Sequence, residues 1–205
     1  MEMAIRSLGA LLLIVLMTPA VQAAPPAPMV AALLQHVASD PDTPVLGNRA
    51  AKLTVVEFFD YRCPNCRAMA PDLADAIKDP RVRLVAKEWP IFGGVSVFAA
   101  RVALASQWQG RFAAVHRALF AIGGPVTEGS IREAARRAGL DMARLDHDLA
   151  ARRGELDAAL ARNGREAALM GFKGPPGLLI GALVVPGALA SADLKSVIEE
   201  EAARR

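Results

Sequence analysis

The feature that most constrains this chain is the segment VVEFFDYRCPNCRAMAPDL, residues 55–73, in which an apolar run leads directly into two closely spaced cysteines. Residues Leu53–Phe59 are mostly β-branched or aromatic, which predicts a buried strand. Pro64 then suits the first position of a helix, because the N–H that proline lacks would have no partner there. The segment therefore predicts a strand that ends near a cysteine pair and continues as a helix.

Residues 1–24 have the three-part pattern of a secretory signal peptide: Arg6 in a short leading segment, an apolar run over Leu8–Met17, and small residues up to Ala24. The apolar run is about half of the roughly 20 residues that span a bilayer, so we expect no stable membrane anchor. Cleavage after Ala23 or Ala24 would deliver the protein to the periplasm. Disulfides form and persist in that compartment, so a cysteine pair can be redox-active there.

Composition limits the size of the fold and the classes of partner. About 180 residues would remain after cleavage, which is enough for one domain that carries an insertion. The 24 Lys and Arg residues are nearly balanced by 21 Asp and Glu, and the net charge is +3. The basic residues form no continuous block, so nothing favours nucleic-acid binding.

Hydrophobic periodicity predicts the order of the remaining elements. In chain order they are a helix over residues 29–37, the strand and helix described above, a second strand over residues 81–89, about four helices over residues 95–170, two short strands around Gly181, and a last helix that ends near Ala203. Ser191 or Asp193 is expected to cap that last helix. The predicted order is β-α-β, a block of helices, and β-β-α.

Cys63 and Cys66 are the only cysteines, and several kinds of site could use such a pair. A zinc site needs two further ligands, and the chain offers histidines only at distant positions without paired spacing. Those histidines are His36, His116 and His147. Covalent haem attachment needs a histidine directly after the second cysteine, and that position is Arg67.

Two alternatives to redox chemistry stay open for the cysteine pair. A structural disulfide would close a very short loop and would stabilise the fold by roughly 2 kcal/mol at most. Two thiolates could also bind Cu(I) as soft ligands in a metal-handling module. No cofactor is required for thiol–disulfide exchange itself, which the surroundings of the cysteines favour.

The predicted helix start assigns different roles to the two cysteines. Cys63 lies at the N-cap, where free N–H groups and the helix dipole favour a thiolate. The neighbouring Arg62 adds a positive charge. Cys66 lies one turn further on and is expected to be more enclosed. Cys63 is therefore expected to attack or be attacked, and Cys66 to resolve the mixed disulfide.

Glu57 is a carboxylate in an otherwise apolar strand, six residues before Cys63. If it is buried, it could exchange a proton with the enclosed thiol of Cys66, and Lys87 on the next strand is a candidate partner. If the strand is only half-buried, Glu57 simply faces solvent. The residue pattern alone leaves both interpretations open.

Three segments in the same order resemble the DsbA-like family of exported thiol-disulfide oxidoreductases, and most of all its ScsC-like branch. They are EFFDYRCPNC, KEWPIFGGVSVFAARVAL and GFKGPPGLLIGALVVPGA. The resemblance implies an α/β fold, a thioredoxin fold interrupted by an all-helical insertion. Its implied boundaries are an N-terminal tether and short helix over residues 25–44, a core over residues 45–92 and 172–205, and the insertion over residues 93–171.

The resemblance also implies roles for individual residues. Pro176 would be the cis-proline that faces the cysteines, and Glu57 would hold the buried-acid position of the family. Pro64, Asn65 and Pro175 would contact substrate. Cysteine-containing exported proteins would be the substrates, and a membrane or soluble redox partner would reset the disulfide.

Two departures from the family pattern bear on activity. Strongly oxidising relatives carry histidine where this chain has Asn65, which brings no charge, so a less oxidising disulfide is expected. Pro175 stands where relatives often have threonine or valine. Net oxidation, isomerisation and reduction all stay open, and a monomer is expected because the N-terminal helix is too short to be stable alone.

Overall fold

The structure is a computed structural model that describes residues 25–39 and 43–205. The predicted signal peptide, residues 1–24, lies outside the described residues. The helices are α1 (Ala27–Ser39), α2 (Pro64–Ala76), α3 (Gly94–Ala105), α4 (Phe112–Phe120), α5 (Glu128–Arg137), α6 (Met142–Ala151), α7 (Arg153–Leu169) and α8 (Ser191–Ala203). The strands are β1 (Val45–Gly47), β2 (Leu53–Phe59), β3 (Val82–Glu88), β4 (Gly177–Ile180) and β5 (Leu183–Pro186).

The strands form one mixed sheet in the order β1-β3-β2-β4-β5. Only the β2–β3 pair is parallel among these strands, because α2 connects them as a crossover, whereas the other neighbours run antiparallel. β4 and β5 form a hairpin whose turn uses the positive φ of Gly181. The predicted strand Leu53–Phe59 is confirmed to the residue as β2. β1 was not predicted, because three residues carry too little periodicity.

Alternation along β2 divides the hydrophobic core between the two faces of the sheet. Val55 and Phe59 belong to a large cluster formed with helices α2, α3, α4 and α8. Val56 and Phe58 belong to a second cluster formed with α1 and the end of α7. All seven residues of β2 are buried, as expected for a central strand covered on both faces. The cysteine-bearing helix α2 therefore covers the odd-numbered side chains of β2.

Five α-helices, α3–α7, lie between β3 and β4, so the predicted helical insertion is confirmed with one helix more than expected. Arg67 on α2 fastens the insertion to the core, since its guanidinium donates hydrogen bonds to the carbonyls of Tyr61, Leu119 and Ile122. Leu119 lies at the end of α4. The position of α4 is thus tied directly to the helix that carries the cysteines.

The start of α8 differs from the predicted one. Its N-cap is Ala190, which makes no side-chain cap, so the expected cap by Ser191 or Asp193 is wrong. The Ser191 hydroxyl instead donates to Asp72 at 2.8 Å, and this bond links α8 to α2. The Ser191 hydroxyl thus bonds to Asp72 on another helix and does not cap α8.

Helix α1 packs on the sheet through Val30 and Leu33, both buried in the second cluster. This contact stabilises a helix that would be too short to persist alone. None of the helices within residues 25–39 and 43–205 is both long and apolar enough to cross a membrane.

Candidate active site

The site lies where β2 leads into α2. Cys63 is the N-cap of α2, with extended backbone angles, and Pro64 is the first helical residue, as predicted. The Cys63 N–H donates to the carbonyl of Asp60 at 3.0 Å, which closes the turn before the helix. The Cys63 sulfur accepts the backbone N–H of Cys66 at 3.5 Å. The sulfur therefore takes the place of the oxygen that a serine or aspartate cap would provide.

Both cysteines are free thiols in this structure. Cys63 is 3% exposed and Cys66 is fully buried, so Cys66 is the more enclosed of the two. Pro64 and Asn65 between them are exposed at the start of α2. Pro64 and Asn65 therefore form part of the exposed surface next to Cys63.

A loop that is distant in sequence covers Cys63. The Cys63 thiol donates to the carbonyl oxygen of Pro175 at 3.3 Å. The peptide bond between Pro175 and Pro176 is cis, and Pro176 is buried directly before β4. The structure thus brings the two cysteines together with both prolines that the sequence singled out.

Glu57 faces the cysteine helix rather than solvent. Glu57 is 1% exposed. Its side chain lies on the same face of β2 as Val55 and Phe59, which point toward α2. Its Oε1 atom has no hydrogen-bond partner within the described residues. Burial raises the pKa of Glu57 to about 8, so the protonated form predominates at pH 7. The interpretation of Glu57 as a solvent-facing residue is therefore wrong.

Glu57 is electrostatically coupled to the second cysteine. Burial is the main cause that raises the pKa of the Cys66 thiol, and the negative charge of Glu57 raises it further. A proton on Glu57 and a thiolate on Cys66 are thus mutually favourable. The acidity of the Cys66 thiol therefore depends on whether Glu57 carries its proton.

Lys87 is not the partner of Glu57. Lys87 and Val85 are two residues apart in β3, so their side chains lie on the same face of the sheet. Val85 lies in the second cluster, so this face is opposite to the one that carries Glu57. There its Nζ atom lies 2.9 Å from a carboxylate oxygen of Glu166 on α7. The expected Lys87–Glu57 pairing fails because the two side chains leave the sheet on different sides.

Glu88 is a second buried carboxyl on the Glu57 side of the sheet. In the parallel pairing of β2 and β3 it lies opposite Phe59, and Ala86 lies opposite Glu57. Glu88 is 1% exposed, and neither carboxyl oxygen accepts a hydrogen bond from another residue in the described part of the chain. Burial raises the pKa of Glu88 to about 8. The alternation of residues 81–89 could have revealed it, since adjacent Lys87 and Glu88 must face opposite sides.

A buried polar pair of Tyr61 and His116 lies beside these carboxyls. The Tyr61 hydroxyl and His116 Nδ1 are 3.0 Å apart, enclosed by aromatic rings that include Phe59 and Phe120. Burial lowers the pKa of His116 to about 3, so the imidazole is neutral. Burial, with the nearby charge of Glu88, raises the pKa of Tyr61 well above 10. No local pattern in the sequence relates Tyr61 to His116, so this contact was not predicted.

A cavity of about 560 Å³ between α2 and α4 reaches Glu57 from behind the cysteines. Leu73 and Phe120 contribute to its apolar wall, and its lining also includes the exposed residues Lys78 and Arg117. The cavity is thus positioned to connect the buried carboxyl with solvent without passing Cys63. Among the described residues, no group of three or more His, Cys, Asp or Glu side chains could hold a metal ion.

Comparison with known proteins assigns the family. The sequence profile of a family described as Thioredoxin matches residues 39–200. The chain belongs to the thioredoxin family. The expected thioredoxin fold with a helical insertion, and the resemblance to DsbA-like and ScsC-like proteins, are confirmed.

Solved structures of thioredoxin-family proteins match nearly the whole described chain. A thioredoxin-like oxidoreductase from Silicibacter pomeroyi is 40% identical, with a TM-score of 0.75, over 82% of this chain and 95% of that protein. A periplasmic thioredoxin-like protein from Salmonella enterica serovar Typhimurium is 33% identical, with a TM-score of 0.70, over 83% and 97%. The catalytic domain of Proteus mirabilis ScsC is 26% identical, with a TM-score of 0.76, over 86% and 98%. These relatives support thiol–disulfide exchange as the activity of the fold.

The chain also matches part of two much longer curated proteins. The chain is 34% identical over 124 residues to the Na⁺/H⁺ antiporter NhaA 1 of Salinispora arenicola, a match that covers 58% of this chain and 19% of that protein. The chain thus spans about a fifth of the length of the curated relatives that it matches.

Proposed function

We propose that this protein is an exported thiol-disulfide oxidoreductase that exchanges disulfides with cysteines of other exported proteins through Cys63 and Cys66. The observation that carries the proposal is the placement of the Cys63 sulfur, which caps α2 and contacts the Pro175 carbonyl, while Cys66 lies enclosed behind it. Cys63 is the less enclosed of the two cysteines, and Cys66 stays protected until it is needed.

In the oxidising direction, a substrate thiolate attacks the Cys63 sulfur and breaks the Cys63–Cys66 disulfide. Cys66 leaves with the electron pair, and the protonated carboxyl of Glu57 supplies its proton. A second substrate thiolate then attacks the substrate sulfur of the mixed disulfide, and Cys63 leaves as a thiolate. The substrate loses two electrons and the protein gains them, so a redox partner must later remove them.

In the reducing direction, the same groups act in reverse order. The Cys63 thiolate attacks a substrate disulfide and displaces one substrate thiolate. Cys66 then attacks the Cys63 sulfur, the ionised form of Glu57 takes the Cys66 proton, and the second substrate thiolate leaves. Substrate covers Cys63 at this stage. The cavity behind α2 then offers Glu57 a separate route for exchanging its proton with solvent.

A disulfide-transfer assay tests the proposed function. Oxidised protein is mixed with a reduced, unfolded protein that contains cysteines, and the free thiols of each of the two proteins are counted separately over time. We expect the substrate to lose two thiols for each enzyme disulfide consumed, and Cys63→Ser to abolish the transfer. A wild-type protein that transfers no disulfide in either direction would overturn the proposal. Titration against glutathione then gives the equilibrium constant that decides between net oxidation and net reduction.

Export is part of the proposal. It rests on the signal-peptide pattern of residues 1–24 and on the Salmonella relative, which is a periplasmic protein. Expression of the full chain in a Gram-negative host should yield periplasmic protein whose N-terminus follows Ala23 or Ala24. Retention of the intact N-terminus in the cytoplasm would contradict export.

We also propose that the protein acts as a monomer. The support is the docking of α1, which buries Val30 and Leu33 against the protein's own sheet. Light scattering of the purified protein should give the mass of one chain over a wide concentration range, and a stable trimer or dimer would contradict the proposal.

A further inference from the structure

The cavity of about 560 Å³ between α2 and α4 has the size of a small-molecule site. Such sites are mostly apolar and contain a few polar groups that orient the ligand. Leu73 and Ala74 of α2 and Phe120 of α4 contribute to its apolar wall. Neither cysteine is among the described residues that line it. The cavity is therefore separate from the surface at which Cys63 would meet other proteins.

The inner end of the cavity holds a carboxyl group with an unpaired oxygen. Glu57 lines the cavity and is 1% exposed, and its Oε1 atom has no hydrogen-bond partner within the described residues. A buried polar atom that lacks a partner is energetically costly, so a ligand that forms a hydrogen bond with this oxygen gains affinity. A hydroxyl group suits a protonated carboxyl, because it both donates and accepts.

The outer end of the cavity carries an excess of positive charge. The basic residues that line the cavity are Arg67, Lys78 and Arg117, of which Lys78 and Arg117 are exposed. Lys78 pairs with Asp75 at 2.6 Å. The only other acid among the described lining residues is Glu57, which is mostly protonated at pH 7. The charges of Arg67 and Arg117 therefore have no carboxylate to balance them in the cavity, and an anionic group is favoured there.

We propose that this cavity binds an amphipathic carboxylate, with its anionic group near Arg117, its apolar chain along the wall and a hydroxyl group on Glu57, and that binding slows the attack of Cys66. The proposal rests on the proposed function and adds a regulation of that same site. Cys66 attacks the Cys63 sulfur as its proton passes to ionised Glu57, and Glu57 must release that proton before it can act again. A bound ligand fills the route to solvent, so Glu57 stays protonated.

Binding is tested by calorimetric titration of the folded, reduced protein with ten-carbon probes below their micelle concentrations. We expect 10-hydroxydecanoate to bind about twofold to tenfold more tightly than decanoate, because its hydroxyl forms a hydrogen bond with Glu57. We expect 10-amino-1-decanol, which carries a positive charge in place of the carboxylate, to bind at least about fivefold more weakly than 10-hydroxydecanoate. These two comparisons test the inner and the outer end of the cavity separately.

Variants assign the bound probe to the cavity. Ala74→Leu places a larger side chain in the cavity and should weaken binding of 10-hydroxydecanoate by at least about tenfold, because the added atoms take the space of the chain. Arg117→Ser, at an exposed position, should weaken binding by about twofold to fivefold. The matched controls are Ala68→Leu and Arg165→Ser, at exposed positions outside the cavity lining on α2 and α7. Neither control should change the affinity.

The effect on Cys66 is measured in a single step. Cys63 of the reduced protein is labelled with a chromogenic disulfide reagent, and release of the second chromophore reports the attack of Cys66. Saturating 10-hydroxydecanoate should slow this release by about tenfold, because fewer molecules hold Glu57 in its ionised form. It should leave the rate at which Cys63 is labelled unchanged. The same probe concentration should not slow the release in Ala74→Leu protein.

Calorimetry and chromophore release can fail separately. If 10-hydroxydecanoate does not bind, or binds no better than 10-amino-1-decanol, the proposed site is wrong. Equal affinity of wild-type, Ala74→Leu and Arg117→Ser protein would also overturn it, and Arg117→Ser alone decides if Ala74→Leu does not fold. Equal binding of decanoate would show that Glu57 does not contact the ligand.

The regulatory part has its own contrary result. If 10-hydroxydecanoate binds in the cavity and the release of the second chromophore keeps its rate, the cavity does not control Cys66. If the protein without probe releases no second chromophore and transfers no disulfide, the proposed function fails, whereas the calorimetric titration still tests the ligand site.

Discussion

The thiol of Cys63 donates a hydrogen bond to the carbonyl oxygen of Pro175, 3.3 Å away. Pro175, which accepts this hydrogen bond from Cys63, has no backbone N–H of its own. A substrate strand that pairs with this loop shares the carbonyl of Pro175 with the Cys63 thiol, and it finds no donor at that residue. The Pro175 carbonyl therefore contacts the Cys63 thiol and also belongs to the loop with which a substrate strand would pair.

Pro175→Thr should accelerate disulfide transfer to a reduced unfolded protein by about twofold to tenfold, because threonine restores one hydrogen-bond donor for substrate. The equilibrium constant with glutathione should stay nearly the same. The measurement is the transfer rate of both proteins with one substrate. Pro80→Thr is a suitable control, since the Pro80 carbonyl also accepts a side-chain hydrogen bond, from Asn48, far from the cysteines. Equal transfer rates would show that substrate does not touch residue 175.

Glu57→Gln should slow the attack of Cys66 on a mixed disulfide at Cys63 by roughly a hundredfold, because glutamine cannot take the thiol proton. The wild-type rate should rise with pH through about 8 as Glu57 ionises. The step is measured by labelling Cys63 with a chromogenic disulfide reagent and timing release of the second chromophore. Glu88→Gln is the matched control, with similar burial and a similar pKa. If both variants slow this attack equally, Glu57 has no specific role in the step.

Stability should fall between pH 4.5 and about 8. The folded protein keeps protons on Glu57 and Glu88 up to about pH 8, whereas the unfolded chain releases them near the ordinary value of 4.5. Unfolding therefore releases protons in this interval, and the free energy of unfolding decreases as pH rises. Urea unfolding at several pH values should show this slope, and Glu57→Gln with Glu88→Gln should flatten it. A slope that persists in the double variant would place its origin elsewhere.

The effect of His116 on the free energy of unfolding should have the opposite sign and should occur at lower pH. Its folded pKa of about 3 lies below the ordinary 6.5, so unfolding takes up a proton between these values. The resulting stability is present above pH 6.5 and is lost as pH falls toward 3. His116→Gln should remove this acid sensitivity while leaving an acceptor for the Tyr61 hydroxyl. Unchanged acid unfolding in the variant would contradict the burial of a neutral imidazole.

Lys87→Met should destabilise the fold by about 3 to 5 kcal/mol, because it leaves the buried carboxylate of Glu166 without its main charge partner. Adding Glu166→Leu should recover much of the loss, since the double variant buries no charge. The glutathione equilibrium of Cys63 and Cys66 should be unaffected in the double variant, because the ion pair lies on the other face of the sheet. A shift in that equilibrium would indicate that Lys87 acts on the cysteines after all.

The junction of strand and helix was predictable because its signals are local. The apolar run of β2, Pro64 at the first helical position and the spacing of Cys63 and Cys66 all lie within residues 53–66. Each depends on backbone conformation and burial at neighbouring positions. Residue pattern therefore sufficed for the bounds of β2 and the start of α2.

The surroundings of the cysteines were harder to predict from the sequence, because they depend on strand register and on loops that are distant in the chain. Glu57 could not be assigned to a face until the sheet showed that both sides of β2 are covered. The face of Lys87 follows from alternation in β3, but the pairing with Glu166 requires the position of α7. The contacts of Asp60 with the loop after β3, and of Tyr61 with His116, join segments that no local pattern relates.

The most direct test of the central claim is to trap the mixed disulfide. Cys66→Ser protein is incubated with oxidised, disulfide-containing substrate proteins, and the covalent adducts are mapped by peptide mass spectrometry. We expect one adduct, joined through Cys63, which accumulates because no resolving thiol is present. Cys63→Ser protein should form none under the same conditions. Adducts through Cys66 in the Cys63→Ser protein, formed as fast as those through Cys63, would contradict the assignment of the attacking and resolving cysteines.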